Sequence, residues 1–306
     1  MQPPVRISED VADALAARHP VVALETTVIA HGLPAPENLL AAAELIGAVG
    51  QAGAVPAVIG ILDGEFRVGL SAGDIERLAE DDGVLKVSRR DIAYAVSTGQ
   101  AGATTVSATM IGAAKAGIAV MATGGIGGVH RGAGHSMDVS TDLEELGRTD
   151  VAVVCAGAKA VLDLPRTLEY LETRGVPVIG YGCDEFPAFF VASSGLAVPR
   201  RLDTPDEIAA LLRTKRALGL DGGVVIANPP PAETALDATE TERVIEAAVA
   251  SAQAVGITGR AVTPYLLERV AAATGGDSIT ANRALLVANA KLAAEIAVAL
   301  ANQADD

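Results

Sequence analysis

The sequence predicts an α/β fold, a three-layer α/β/α sandwich around a largely parallel, mixed central sheet. Two observations support this prediction. Short runs rich in β-branched residues alternate with alanine-rich stretches of helical periodicity along the chain, an order that favours a parallel sheet. The runs are also almost continuously apolar, which is typical of strands covered by helices on both faces.

The elements follow in order along the 306 residues. We predict strands at 21–28, 55–62, 118–124, 151–157, 176–182 and 223–228. The helical patterns fall between and after them, at 38–53, 164–175, 204–220, 239–256 and 284–301. There is no internal repeat, and the proline-rich segment 228–234 is too short to separate domains. We therefore predict a single domain, 1–306.

Composition restricts the classes of function. A net charge of −15 argues against general nucleic-acid binding, which requires basic stripes, but it permits a small anionic substrate in a local pocket. The longest apolar stretch that we identify, 111–129, contains Lys115 and several glycines, so it is a poor membrane-spanning helix. The first ten residues contain no apolar segment of signal-peptide length. We therefore expect a cytoplasmic protein with neither a membrane nor a nucleic-acid partner.

Glu25 interrupts the apolar run at 21–28, and ligands of open α/β sheets bind beyond the carboxyl ends of the strands. A carboxyl group in apolar surroundings has a raised pKa and can deliver a proton near neutral pH, so Glu25 is a candidate general acid–base. The alternative is a carboxylate that backbone amides bind at the strand end. His31, in the following loop, is more typical of a structural histidine.

Lys159 follows the apolar run at 151–157 after a few small residues. A lysine in this position ordinarily extends to solvent. It can instead be held in a partly dry pocket, where its neutral amine attacks a carbonyl or anomeric carbon. The residues alone leave both interpretations open.

The segment 121–146 is rich in glycine but lacks the spacing of a Walker loop or a dinucleotide-binding motif. Its backbone amides can form a nest for an anion, and Asp138 can ligate a hard divalent ion that keeps most of its waters. Ser140, Thr141 and Asp142 can in addition cap the helix that follows.

A basic cluster, Lys86, Arg89 and Arg90, stands out in this acidic chain. A solvated surface is its ordinary explanation, and a phosphate clamp is the functional one. The run ATTVSATM (103–110) places hydroxyl groups at a predicted strand-to-helix junction, where a helix N-terminus can bind phosphate.

Taken together, several of these segments are peculiar to one family. LETTVIAHGLPAPEN (24–38), KVSRRDIAYAV (86–96), ATGGIGGVHRGA (122–133) and CAGAKAVLDLPRTLEYLETRG (155–175) resemble the pseudouridine-5′-phosphate glycosidases, also called indigoidine synthase A-like proteins. The resemblance runs in order from about residue 5 to 301. The departures are small: Thr26 and Thr27 stand where serines are frequent, and Met137 where an aromatic residue is usual.

The resemblance implies an α/β/α homotrimer with one divalent ion of the Mn²⁺ type per subunit. The implied reaction is the reversible conversion of pseudouridine 5′-phosphate and water into ribose 5-phosphate and uracil. Lys159 corresponds to the Schiff-base nucleophile, Glu25 to the proton donor and Asp138 to the metal ligand. The substrate-contacting positions correspond to Lys86, Val106, Ser140, Thr141 and Asp142, and we add His130 and Asn282 as further ligand contacts.

Two other functions fit the same residues. One is a Schiff-base lyase or aldolase acting on another phosphorylated sugar, which would use the same lysine and phosphate site. The other is a non-catalytic phosphosugar-binding protein. Loss of the lysine or the glutamate would have favoured the second, and both Lys159 and Glu25 are present.

Overall fold

The computed structural model describes residues 5–257 and 262–302. Within them the strands are β1 (Val5–Ile7), β2 (Val21–Leu24), β3 (Val55–Leu62), β4 (Glu65–Val68), β5 (Leu85–Val87), β6 (Gly102–Thr104), β7 (Val120–Ala122), β8 (Val129–His130), β9 (Ala152–Cys155), β10 (Leu162–Asp163), β11 (Val178–Tyr181), β12 (Arg200–Leu202) and β13 (Val224–Ala227).

The same residues form the helices α1 (Glu9–Ala16), α2 (Glu37–Gln51), α3 (Ala72–Glu80), α4 (Arg89–Thr98), α5 (Val106–Ala116), α6 (Ala133–Ser136), α7 (Thr141–Leu146), α8 (Leu164–Thr173), α9 (Pro205–Ala217), α10 (Ala238–Ala254), α11 (Val262–Ala273) and α12 (Asp277–Asn302). A short π-helical turn, Val28–Gly32, follows β2.

The central sheet has the strand order β1-β4-β3-β2-β7-β9-β13-β11-β12, and β6 with β5 is attached to β3. The pairs from β3 through β2, β7, β9, β13 and β11 to β12 are parallel. Strand β3 pairs antiparallel with β4 and with β6. The predicted mixed, largely parallel sheet is therefore confirmed.

Helices cover both faces of this sheet, and every residue of β2, β9 and β13 is therefore buried. Helix α12 packs on β2, β7 and β9 and against α2 and α9. Helix α5 packs on β2, β3, β4 and β7 and against α4 and α7. The α/β/α arrangement brings the carboxyl ends of β2, β7 and β9 together at one edge of the sheet.

The six predicted strands all form, at or within the predicted bounds, and only β3 fills its predicted range. The run at 21–28 ends early, because the chain turns into the π-helical turn after Glu25 and two threonines. The strands that were not predicted are β1, β4, β5, β6, β8, β10 and β12. Each has four residues or fewer, which carry little periodicity, and each lies outside the apolar runs that predicted the other strands.

The apolar stretch 111–129 is not one helix: it contains the end of α5, strand β7 and a loop. The longer apolar helix is α12, which by length and composition could cross a membrane. More than half of its apolar window is buried inside the fold, and it packs on three strands of the sheet. In this structure α12 is therefore a core helix. The single-domain assignment of 1–306 stays a prediction.

Candidate active site

Three neighbouring strands end at the candidate site. Strands β2, β7 and β9 lie side by side in the sheet. Glu25 follows β2 directly, Thr123 follows β7 directly, and Lys159 follows β9 after a short turn. Glu25 and Lys159, together with Lys86 of β5, line two cavities that meet at these residues. The structure thus brings together three residues that lie far apart in the sequence.

The Glu25 carboxyl group is buried, with only 6% of the residue exposed. Burial raises its pKa, while the charge of Lys159 and a hydrogen bond from Thr123 act in the opposite direction. The Thr123 hydroxyl donates this bond to Oε1 of Glu25. Glu25 therefore has the setting that its sequence context predicts, a buried carboxyl group with a raised pKa.

A buried asparagine of α12 holds the end of β7 in place. Asn289 Nδ2 donates to the Thr123 backbone oxygen at 2.9 Å, and its Oδ1 accepts from Asn228 Nδ2 at 3.0 Å. Asn289 is fully buried. Thr123, which contacts Glu25, is thus fixed through both its side chain and its backbone.

Lys159 lies at the end of a tight turn. Gly157 has φ of +77°, and a Cβ atom there would lie 2.1 Å from the Pro187 backbone oxygen, so only glycine fits. The backbone of the turn is then anchored by a hydrogen bond from Lys159 N to Ile126 O at 3.1 Å. The turn aims the lysine into the cavities rather than letting it extend to bulk solvent.

One of the two cavities, which we call the inner cavity, has an apolar wall formed by Phe189, Pro264 and Leu267. The other we call the outer cavity. Within the described residues, three buried polar atoms on its lining have no hydrogen-bond partner: Thr27 Oγ1, His31 Nε2 and Asn282 Oδ1. Buried polar atoms are normally paired, so three unpaired ones around a single cavity point to a polar ligand. Asn282, predicted as a ligand contact, is one of them.

The outer cavity has a volume of about 280 Å³ and lies at the beginnings of α4, α5 and α7. The residues that precede these helices, Ser88, Thr105 and Ser140, all line it. The Ser140 hydroxyl caps α7 by accepting from Asp142 N at 3.2 Å, as the capping interpretation predicts. Helix N-termini carry partial positive charge and unpaired N–H groups, so the outer cavity suits an anion.

Asp142 has a structural part in this arrangement. Its carboxylate accepts from the backbone N–H groups of Ser107 and Gly127, both at 2.9 Å. It thereby ties the start of α5 to the glycine-rich segment. Asp142 and Thr141 both line the outer cavity, as the sequence predicts.

The structure separates the basic cluster predicted at residues 86–90. Lys86 and Arg90 line the outer cavity, whereas Arg89 forms a two-bond ion pair with the buried Glu145, with N···O distances of 2.6 and 2.7 Å. Arg89 therefore secures α4 and is not among the cavity-lining residues. Val106 is buried with 1% exposure, and its side chain is likewise not among them; as the first residue of α5, it brings its backbone N–H to the helix N-terminus.

His130 and Asp138 also line the outer cavity. Their side chains approach to 3.9 Å, from His130 Nδ1 to Asp138 Oδ2. Burial lowers the pKa of His130, partly offset by Asp138. Among the side chains that the structure describes, no group of three or more His, Cys, Asp or Glu could hold a metal ion. Asp138 thus offers a cation a single carboxylate, and hard divalent ions such as Mg²⁺ can bind through one carboxylate while they keep several waters.

Sequence reasoning missed Thr123, Thr27 and Phe189. Thr123 carries a usable signal, because it is the first polar residue after an apolar run and precedes two glycines. Those glycines make room for Phe189: a Cβ on Gly125 would lie 2.6 Å from Cδ2 of its ring. No local sequence pattern predicts that Phe189 lies at the site. It reaches the cavity from a loop that is distant in the sequence, where its φ is +61°.

Residues 10–299 match the model of the indigoidine synthase A like protein family. The chain belongs to this family. It is 57% identical to the pseudouridine-5′-phosphate glycosidase of Solibacter usitatus, over 97% of this chain and 99% of the relative. It is 54% identical to the enzyme of that name from Geobacillus kaustophilus, over 95% of this chain and 96% of the relative.

Two solved structures share the fold of this chain. The prealnumycin C-glycosynthase AlnA, in complex with ribulose 5-phosphate, superposes with a TM-score of 0.91 at 41% identity, over 99% of both chains. An indigoidine synthase A-like protein of Thermotoga maritima superposes with a TM-score of 0.88 at 36% identity, over 97% of this chain and 96% of the other.

Proposed function

We propose that this protein is a pseudouridine-5′-phosphate glycosidase, which reversibly cleaves the carbon–carbon glycosidic bond of its substrate to give uracil and ribose 5-phosphate. The observation that carries the proposal is the near full-length identity to enzymes of that name, 57% in one case. A phosphosugar also occupies the C-glycosynthase AlnA of the same fold. The site supports the proposal, because it joins a lysine, a buried carboxyl group and an anion-binding cavity.

The chemistry calls for these groups. Uracil joined through C5 is a poor leaving group, since departure would leave negative charge on that carbon. We assign the nucleophile to Lys159: its neutral amine attacks C1′, the C1′–O4′ bond breaks, and the ribose opens. The departing ring oxygen takes up the proton that the alkylated amine loses. The nitrogen lone pair can then form an iminium as the C1′–C5 bond breaks. Water hydrolyses the iminium, which releases ribose 5-phosphate and restores the amine.

We assign the proton transfer at C5 to Glu25. Once C5 is protonated, the bonding electrons of C1′–C5 return to the uracil ring, and the ring leaves as neutral uracil. In the reverse direction the carboxylate removes the same proton. Burial of Glu25 supports this role, because a raised pKa favours the protonated form that can donate.

The two cavities divide the substrate between them. We place the phosphate in the outer cavity, on the helix N-termini at Val106 and at Ser140, Thr141 and Asp142, with Lys86 as its cation. His130 faces the ribose from the same cavity. The base lies in the inner cavity, where the Asn282 carboxamide complements an imide N–H and the adjacent carbonyl.

We further propose that Asp138 holds a divalent ion, Mn²⁺, whose remaining ligands are mainly water. When bound, the ion would order water and phosphate in the outer cavity. Titration with Mn²⁺ followed by electron paramagnetic resonance tests this proposal without reference to activity. Wild-type protein should bind one ion per chain, and an Asp138→Asn variant should bind more weakly. Equal binding by both would remove Asp138 from the metal site.

A homotrimer in the cytoplasm completes the proposal. Light scattering coupled to size-exclusion chromatography should give a mass three times that of one chain. A monomeric mass from active protein would refute the trimer.

The reaction itself is tested in the synthetic direction. Purified protein is incubated with uracil, ribose 5-phosphate and Mn²⁺, and the products are separated by chromatography. Formation of pseudouridine 5′-phosphate is expected, and a Glu25→Ala variant should form none while it still binds the nucleotide. Glu76→Gln, on an exposed face of α3, is the matched control. Consumption of the sugar phosphate without uracil would indicate a Schiff-base lyase or aldolase instead, and binding without any turnover would indicate a phosphosugar-binding protein.

A further inference from the structure

The inner cavity contains a histidine that the proposed mechanism does not use. His31 belongs to the π-helical turn after β2 and lines the inner cavity together with Thr27 and Asn282. Its Nε2 atom is buried and, within the described part of the chain, has no hydrogen-bond partner. Leaving a buried polar atom unpaired is costly, so this atom is expected to meet a ligand.

The state of the His31 ring follows from its surroundings. Burial and the nearby charge of Lys86 lower the pKa of His31, which favours the neutral ring. The imidazole also forms a hydrogen bond with the Leu85 backbone that favours its protonated state, which identifies the ring as the donor to the carbonyl oxygen. We infer that the donor is Nδ1–H, because Nε2 has no partner within the described residues; in this tautomer Nε2 presents a lone pair. His31 therefore offers a hydrogen-bond acceptor to the cavity.

A C-linked uracil carries a group that fits this acceptor. When uracil is attached through C5, both ring nitrogens, N1 and N3, keep their hydrogens. When it is attached through N1, as in ordinary nucleotides, only N3–H remains. The edge with N1–H, the C2 carbonyl and N3–H lies opposite C5, so it enters the cavity farthest from the reacting bond. The Asn282 carboxamide can pair with one N–H and its neighbouring carbonyl, which leaves the other N–H for a second acceptor.

We propose that His31 Nε2 accepts a hydrogen bond from N1–H of the base and so selects the C-linked uracil over bases substituted at N1. This inference rests on the proposed function and adds a specificity-determining residue to it. The hydroxyl of Thr27, also unpaired, remains available for a carbonyl oxygen. The apolar wall of Phe189 and Leu267 excludes water that would otherwise compete for these bonds.

Base binding measures this selection independently of turnover. Dissociation constants of uracil, 1-methyluracil and 3-methyluracil are determined by calorimetry for wild type, His31→Ala and His31→Gln. Methylation at N1 removes the proposed donor, whereas methylation at N3 leaves it. His19→Ala, which changes an exposed histidine outside the cavities, is the matched control.

We expect wild type to prefer uracil to 1-methyluracil by roughly 10- to 100-fold, the effect of leaving one buried polar group unpaired. In His31→Ala, uracil and 3-methyluracil should weaken together, 1-methyluracil should change far less, and the preference should fall to within about 3-fold. His31→Gln, whose amide oxygen is also an acceptor, should restore part of the preference. His19→Ala should match wild type.

Two results overturn the inference. One is an unchanged preference for uracil in His31→Ala. The other is an equal loss of affinity for all three bases in both His31 variants, which would show that His31 has a general structural role. Failure of the proposed function is distinguished separately, because wild-type protein would then not turn over pseudouridine 5′-phosphate at all.

Discussion

Replacing Thr123 by valine removes the hydroxyl that donates to the Glu25 carboxyl group but keeps the shape of the side chain. Both residues are buried, Thr123 with 1% and Glu25 with 6% exposure. Hydrogen bonds to charged groups contribute about 1.5–3 kcal/mol, and each 1.36 kcal/mol corresponds to about tenfold in rate. We therefore expect kcat to fall roughly 10- to 100-fold in the variant.

The pH dependence gives a second signature. The Thr123 hydrogen bond lowers the pKa of Glu25 against the larger effect of burial, so its removal raises that pKa further. The limb of the pH–rate profile that Glu25 controls should move to higher pH. The assay follows uracil release or consumption between pH 5 and 9, with kcat and KM determined separately.

Thr109→Val is the matched control. The Thr109 hydroxyl is also buried and donates to Thr104 Oγ1 at 2.9 Å, but Thr109 is not among the residues that line the cavities. It should lower stability without moving the pH profile. If Thr123→Val kept the wild-type profile and a rate within twofold, the assignment of Thr123 as the positioning residue of Glu25 would be refuted.

Three further substitutions test other parts of the site. Asp142→Ala leaves the N–H groups of Ser107 and Gly127 without their acceptor and should lower the free energy of unfolding by about 1–3 kcal/mol; denaturation at wild-type stability would contradict this. Gly125→Ala drives a Cβ against Phe189 and should cost about 1–3 kcal/mol and raise KM for uracil, whereas an unchanged KM would show that Phe189 does not shape the base site. Glu25→Gln tests the link between the pKa of Glu25 and stability. Because the folded-state pKa of Glu25 is raised above 4.5, the free energy of unfolding of wild type should fall relative to that of the variant as the pH rises above this value. If denaturant titrations gave a constant difference in this free energy between pH 4 and 8, the raised pKa would be contradicted.

The fold was largely predictable from the sequence because its core strands are covered on both faces. Such strands read as continuous apolar runs, and the six that were predicted are the ones that build the long parallel part of the sheet and β3. The short strands at the edges escaped prediction. Helix α12 was predicted from residue 284, but it begins at Asp277, because its first turns carry more polar residues than the buried remainder.

Part of the candidate site was predictable because a charged side chain lies within an apolar run or just after one. Glu25 and Lys159 stand out in this way, and the structure brings them to the same cavities. His31 and Phe189 gain their significance from neighbours that are distant in the chain, so local patterns cannot rank them. Thr123 was missed although it is the first polar residue after an apolar run. Arg89 shows the converse: its sequence context suggests a phosphate ligand, but the buried carboxylate of Glu145 takes it instead.

The central claim is that Lys159 forms the covalent bond to the sugar. Protein is mixed with ribose 5-phosphate, reduced with borohydride, and examined by intact mass and peptide mapping. Lys115→Ala, at an exposed position of α5, serves as the control for Lys159→Ala. We predict one reduced sugar-phosphate adduct per chain, located on Lys159, present in the Lys115 variant and absent from the Lys159 variant. An adduct on another lysine, or full turnover by Lys159→Ala, would contradict the account.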